Sequence, residues 1–267
     1  MKYRPQHEAN PLPFSPFKSS TVPRPIGWLS SVSTDGRENI APYSQWQNLT
    51  FDPPMVMFSA NQYPDGRRKD TVLNAEQTGW FVWNMATYDL REAVNVSAMA
   101  LEPGESEWDR IAEHGVTKVY ADNHPIPMVA ESPVRFECRY HSTHRIKGDS
   151  NVGTIDVVFA HVDTIHIDDD VITADGRLDI PRIQPIARLG YFDYTVVRET
   201  FEMRVPGADG DAQAECGLVE DDRLGDRSAR RTDNRRQRRR DEQGVAQPPE
   251  RPPADDAHHG VGESGQP

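Results

Sequence analysis

Short apolar runs recur at close spacing along residues 1–205, each stopped by Pro, Gly, Asp or Asn, and this rhythm predicts β-strands joined by turns. Residues 22–33 and 54–60 are two such runs, with Thr34-Asp35-Gly36-Arg37 as a hairpin turn after the first. Residues 79–85, 134–140, 153–167 and 191–197 add further β-rich runs, and Gly148-Asp149-Ser150-Asn151 and Asp175-Gly176 supply turns between them. Strands this short and this close predict a barrel. Within the run at 134–140, Cys138 shares a face with Phe136 and Tyr140 by period two and is expected to be buried, with nothing nearby to lower its thiol pKa.

Helical periodicity is rarer. Thr87 is placed to cap a helix over residues 88–98, where Leu90, Ala93, Val94 and Ser97 fall at three- and four-residue steps. A second helix over 107–113 carries Trp108, Ile111 and Ala112 on one face. Both fall between strands. No βαβ alternation recurs and no GxGxxG turn follows a strand, which disfavours a doubly wound dinucleotide fold.

Composition adds a boundary. From Pro206 to Pro267 there is no Phe, Trp, Tyr, Met or Ile, so this segment lacks the apolar surface that would offset its ordering entropy and is expected to be a disordered C-terminal tail after a folded domain at 1–205. The formal charge is -12, from 30 Lys+Arg against 42 Asp+Glu, an acidic balance that argues against general nucleic-acid or anionic-membrane binding. The run Arg235-Arg236-Gln237-Arg238-Arg239-Arg240 is the exception, an anion-binding patch or simply a solvated charge run. The tail as a whole, with 10 Arg against 14 Asp+Glu, is not basic. Two cysteines far apart build neither a disulfide framework nor a thiolate metal site, and no apolar signal or membrane span is visible, so a reducing cytoplasm is the simplest expectation.

The order of motifs carries a resemblance. Residues 22–33 (Val-Pro-Arg-Pro-Ile-Gly-Trp-Leu-Ser-Ser-Val-Ser), then Asp35-Gly36, Asn39-Ile40-Ala41-Pro42-Tyr43-Ser44 and Asp52-Pro53-Pro54, resemble the opening of the flavin reductase-like, FMN-binding split-barrel family, in its flavoredoxin-like branch. The likeness continues through Lys69-Asp70-Thr71, Phe81-Val82-Trp83-Asn84-Met85, Phe136-Glu137-Cys138, Asp175-Gly176-Arg177 and Ala187-Arg188-Leu189-Gly190 to Tyr194. It implies a mainly β (α+β) domain, a six-stranded antiparallel split β-barrel with flanking helices, working as a homodimer with FMN near the subunit interface. Tyr191 departs from the pattern, since many relatives have a second glycine there, and its ring is expected to narrow the approach to the flavin.

An FMN site needs cations and N–H donors for phosphate and a flat slot for the ring. Arg67-Arg68-Lys69-Asp70-Thr71 offers cations, a hydroxyl and, with Asp70 capping a short helix through Ala75, backbone N–H groups at a positive helix end; its bland reading is an exposed charged turn. Arg24-Pro25-Ile26 and Tyr43-Ser44-Gln45-Trp46-Gln47-Asn48 are expected to form the ring slot, with Trp46 and Trp28 as its walls or as plain core, and Arg24 either in the slot or in a surface salt bridge. Arg188 and Tyr194 are candidates to reach the flavin or pin a dimer, and otherwise to pack. His141 and His144 are candidates to touch a nicotinamide, against the commoner fate of facing solvent, and no histidine spacing matches a known metal motif.

The expected chemistry is hydride transfer from NADH or NADPH to flavin, then electron passage to a second flavin, an oxygenase partner or another acceptor. Alignment is the protein's contribution, so no essential catalytic side chain is expected. The alternative is an FMN-binding electron carrier or sensor without nicotinamide chemistry of its own.

Overall fold

Gly27–Val32 is buried along almost its whole length, which a strand with alternating side chains can be only when both of its faces are covered. Leu29 enters one apolar cluster with Trp46, Phe58, Phe81 and Trp83, while its neighbour Trp28 enters another with Ile40, Val94, Trp108 and Ile111. The strand is thus the wall between two cores.

The computed structural model describes residues 1–101 and 106–203. In order they form α1 (Phe17–Ser20), β1 (Arg24–Pro25), β2 (Gly27–Val32), β3 (Glu38–Tyr43), β4 (Trp46–Phe51), β5 (Pro54–Asn61), α2 (Asp70–Thr78), β6 (Trp80–Asn84), α3 (Arg91–Val96) and α4 (Glu107–Ala112). There follow β7 (Lys118–Tyr120), β8 (Pro127–Val129), β9 (Val134–Ile146), β10 (Ile155–Ile167), α5 (Ile180–Ile183), β11 (Ile186–Gly190) and β12 (Asp193–Val196). Met1–Phe201 make up one compact unit. The expected tail at 206–267, with its arginine run and Cys216, lies outside the described residues.

The main sheet has seven strands in the order β3-β2-β6-β9-β10-β5-β4, every neighbouring pair antiparallel. Its two edge strands, β3 and β4, are consecutive in the chain and only Ser44 and Gln45 join them. So short a link brings the two edges together and curls the sheet into a split barrel, with Tyr43 packing on Phe58 across the split at 5.2 Å between ring centroids. Helix α2 supplies Val72 and Ala75 to the barrel core, and α3 and α4 cover the outer face of β2. A smaller sheet, β1-β11-β12, joins the start of the unit to its end.

The split antiparallel barrel with short flanking helices is the fold expected; its seven strands, one more than the six anticipated, include β3 and β4, which lie outside the apolar runs read from the sequence, while the run at 191–197 falls in the smaller sheet as β12. The strand predicted to end at Tyr140 runs on to Ile146, because its polar residues pair with β10 in a ribbon that has a register irregularity near His141. The helix predicted from residue 88 begins at Arg91, since Thr87 is held in a bridge to Pro185 and the Tyr88 N–H donates to Gln184 O. Asp70 is the first residue of α2 and not its cap, and the helix runs past Ala75 to Thr78, stopped by Gly79 at φ 81°. Cys138 is fully buried and burial pushes its thiol pKa up. Among the described residues no helix is long and apolar enough to cross a membrane.

Four charged side chains tie α2 to the β9–β10 ribbon. Arg68 makes two bonds to Glu76, at 2.6 and 2.7 Å, and one to the buried Asp156 at 2.9 Å, while Arg145 takes the other Asp156 oxygen at 2.8 Å. The Arg68 guanidinium holds the Glu76 carboxyl below its ordinary 4.5. A carboxylate that binds its proton less tightly when folded stabilises the fold while ionised, so this contribution is complete above 4.5 and is lost as pH falls through the lower folded value. We expect Glu76→Gln to cost roughly 1–2 kcal/mol at neutral pH and to flatten the acid limb of stability, read as urea midpoints down to about pH 3.

Candidate functional site

The Ser44–Gln45 corner is fastened from several sides. Gln45 O accepts the Ser59 N–H at 2.9 Å, and the next residue, Trp46, stacks on Trp83 with centroids 5.4 Å apart and planes 9° from parallel. Trp83 Nε1 in turn donates to Ile26 O at 2.9 Å. A Cβ built on Gly27 would lie 2.9 Å from that of Trp46, so the absence of a side chain at 27 lets the indole reach Trp83. Trp46 is therefore buried in the barrel's apolar cluster and Ile26 in the cluster on the other side of β2, while Asn48 is exposed beside a register irregularity in the β4–β5 pair. Trp28 is fully buried on the far side of β2, donating to Ser97 Oγ at 2.9 Å, and takes the core alternative.

Among the described residues Arg24 forms no surface salt bridge. Its guanidinium donates to the carbonyls of Lys18, Thr21 (2.7 Å) and Leu189 (3.3 Å), and its Nε is a buried donor with no partner among the described residues. Arg24 lies opposite Arg188 and Pro25 opposite Ala187 in the β1–β11 pair.

The start of α2 adjoins the same corner through Thr71, whose side chain neighbours the Tyr43 hydroxyl and whose Oγ1 accepts from Asn39 Nδ2 at 2.9 Å. Burial pushes the Tyr43 hydroxyl pKa up and keeps it a neutral phenol. The three cations before the helix have different fates. Arg67 pairs at the surface with Asp65 at 2.7 Å, and Arg68 is taken by Glu76 and Asp156. The Lys69 ammonium lies 3.4 Å from the Tyr63 ring centroid, and desolvation lowers its pKa. Lys69 is also the N-cap of α2 and makes no side-chain cap, which leaves the positive helix end open to an anion, with Asp70 exposed beside it.

The remaining candidates lie apart. Arg188 donates to the Tyr194 hydroxyl at 2.6 Å and to Tyr191 O, and its guanidinium lies 4.7 Å from the Tyr194 ring centroid. His141 bonds Ser142 Oγ at 2.8 Å and meets the His161 ring edge-on at 5.3 Å. His144 is exposed and pairs with Val157, which pairs with Ser59, so two inter-strand spacings of roughly 4.8 Å each separate it from the residue bound to Gln45. Asp122, Glu137 and His166 gather ligand atoms within 4.8 Å, yet Glu137 already accepts the N–H groups of Asp122 and Asn123, the Asn123 amide and a 2.8 Å contact with His166. Burial alone would raise the Glu137 pKa, and these bonds together hold it below the usual carboxylate range, as a structural anion. Sequence reasoning missed Tyr63 and Asn39, which act through folded contacts with Lys69 and Thr71 and carry no local signature.

Comparison with known proteins places this geometry. The description "Flavin reductase like domain" matches residues 19–193. The chain belongs to the flavin reductase like domain family. Two curated relatives are uncharacterized proteins: BH2278 of Halalkalibacterium halodurans, 34% identical over 70% of this chain and 88% of its own, and YwrF of Bacillus subtilis, 31% identical over 71% and 91%. Among solved structures, nitrilotriacetate monooxygenase component B from Bacillus cereus superposes with a TM-score of 0.68 at 28% identity, over 76% of this chain and 98% of that one. The 2-nitrobenzoate 2-nitroreductase of Pseudomonas fluorescens, at 22% identity, 72% and 89% coverage and a TM-score of 0.61, shares the fold.

The Trp46–Gly27 contact generates a direct test. Gly27→Ala overfills the space against Trp46 and is expected to cost about 1–3 kcal/mol in urea unfolding and to shift the near-ultraviolet dichroism of the stacked indoles. An unchanged midpoint and spectrum would show that the corner does not depend on this approach.

Proposed function

We propose that the chain is an FMN-dependent oxidoreductase that takes hydride from NADH or NADPH, a flavin reductase of the kind that supplies an oxygenase. The observation that carries this reading is the desolvated Lys69 cation at the open N-terminus of α2, linked through Thr71 and Tyr43 to the corner at Ser44–Gln45. Membership of the flavin reductase like domain family and the likeness to a monooxygenase component B support the same reaction class.

The residues fit the cofactor's chemistry. Lys69, the Thr71 hydroxyl and the first N–H groups of α2 would hold the phosphate, with Arg67 at the rim. The polar corner Ser44–Gln45, with Asn48, and the unpartnered Arg24 Nε offer donors and acceptors for the ring, above the rigid floor of Trp46. Bound FMN would supply the electron-accepting ring. The chain's own part is to hold that ring and its reductant in line and to keep water from the contact, with no side chain required to move a proton. Arg188 and Tyr194 approach from β11–β12, and His141 and His144 are assigned to the nicotinamide only if a second copy brings them to a slot. A homodimer suits the exposed Leu49 and Phe51 on edge strand β4, 45% and 76% accessible.

Purified protein given FMN should oxidise NADH or NADPH well above the rate of free flavin, with one nicotinamide preferred. Retained FMN with no oxidation of either would replace this reading by that of an electron carrier. Lys69→Met is expected to weaken FMN about tenfold or more, measured by flavin fluorescence, because it removes a charge-assisted phosphate contact. Equal affinity in the variant would remove Lys69 from the site.

A further inference from the structure

Of the three cations before α2, Lys69 is held in a way the other two are not. Among the described residues it has no salt bridge, whereas Arg67 and Arg68 are matched by carboxylates. Its half-buried ammonium rests 3.4 Å from the centroid of the Tyr63 ring, and the Arg67 guanidinium lies 5.1 Å from the same centroid. Asp70 and Arg67 act on the ammonium through space with opposite sign, and desolvation is the larger influence. A ring face attracts a cation through its quadrupole and so restrains the flexible lysine stem, yet it carries no charge that would cancel the ammonium. An ammonium has three N–H donors, so one side can face the ring while another meets an anion.

Tyr63 is itself fixed from two directions. It follows the end of β5 in a closed turn, where its N–H donates to Arg67 O and Gly66 N–H donates to Tyr63 O, both at 2.9 Å, with Gly66 at φ 84°. The tip of the β9–β10 ribbon clasps that turn from outside. Asn151 Nδ2 donates to Pro64 O at 2.9 Å, Asn61 Nδ2 to Val152 O at 2.6 Å and Gln62 N–H to Thr154 O at 3.1 Å. The tip is folded on itself as well, since Thr154 N–H donates to Ser150 O at 2.9 Å and Gly148 N–H to Thr154 Oγ1 at 3.1 Å.

We propose that Tyr63 is a positioning residue for the flavin phosphate: its ring face holds Lys69 at the start of α2 with the charge intact, and the β9–β10 tip sets that ring through the 61–67 turn. The inference rests on the flavin reading above and adds to it a residue that works through Lys69. The ring face does the holding, and the Tyr63 hydroxyl has no part in it.

The test is fluorescence titration of the full chain with FMN and with riboflavin, for the wild type and for Tyr63→Leu, Tyr63→Phe, Asn151→Ala and Lys69→Met. The two flavins share the ring system, so the ratio of their affinities reads the phosphate contact. Tyr63→Leu is expected to lower the FMN-to-riboflavin ratio about fivefold with riboflavin affinity unchanged. Tyr63→Phe keeps the ring face and should keep the wild-type ratio, while Asn151→Ala, at an exposed position on the tip, should lower it about twofold. A wild-type ratio in Tyr63→Leu beside a lowered one in Lys69→Met would overturn the inference and leave the flavin reading standing. Equal weakening of both flavins in Tyr63→Leu, or a loss in Tyr63→Phe as large as in Tyr63→Leu, would overturn it too, and an unchanged ratio in Asn151→Ala would overturn the part assigned to the tip. Equal affinity of the wild type for the two flavins would instead remove the phosphate from Lys69, and this inference with it.

Discussion

The structure depends on one short connection. Strands β3 and β4 are the opposite edges of a seven-stranded sheet, yet only Ser44 and Gln45 separate them in the chain, so the sheet closes at that point. Closure is held by aromatic contact: Trp46 stacks on Trp83, Trp83 bonds Ile26, and Gly27 leaves the room that makes the stack possible. The same corner hands Tyr43 to Thr71 and so fixes where the start of α2 lies. Barrel closure and candidate site are one piece of construction.

Charge is distributed around that piece with a clear division of labour. Arg68 belongs to the scaffold, locked by Glu76 and Asp156, and Arg67 is neutralised at the surface by Asp65. Lys69, between them and α2, is the cation whose charged form is disfavoured by burial, which is the condition under which an incoming anion gains most. Glu137 shows the opposite solution, an anion whose N–H partners are built into the chain. It is a finished structural unit, whereas the α2 terminus has no side-chain cap of its own.

Much of the fold was legible because burial writes itself into period-two patterns. The run at 54–60 is a barrel strand whose alternate residues enter the core, those at 22–33 and 79–85 hold barrel strands buried on both faces, and the ordered motifs around them pointed to the family. The extension of β9 beyond Tyr140 was hidden because a solvated two-stranded ribbon needs no apolar face. The start of α3 was misread because Thr87, a good cap by type, is used by a bridge to Pro185 that no local sequence encodes. In the site, residue types identified the 67–71 segment, but only the fold could show which of its three cations is desolvated, or that the Arg24 guanidinium is bound to carbonyls of the N-terminal arm. The groove between α3 and the β11–β12 hairpin, lined by Tyr88, Val94 and Ile186, left no mark in the sequence, since it joins residues about a hundred positions apart through the Thr87–Pro185 bridge and the bond from Tyr88 N–H to Gln184 O.

The central claim is that an anionic group belongs at the start of α2 beside Lys69. Parallel fluorescence titrations of the full chain with FMN and with riboflavin, which share the ring and differ in the phosphate, test it most directly. The account predicts that FMN binds at least tenfold more tightly and that the advantage shrinks as salt is raised. Equal affinity for the two flavins at low salt would contradict it.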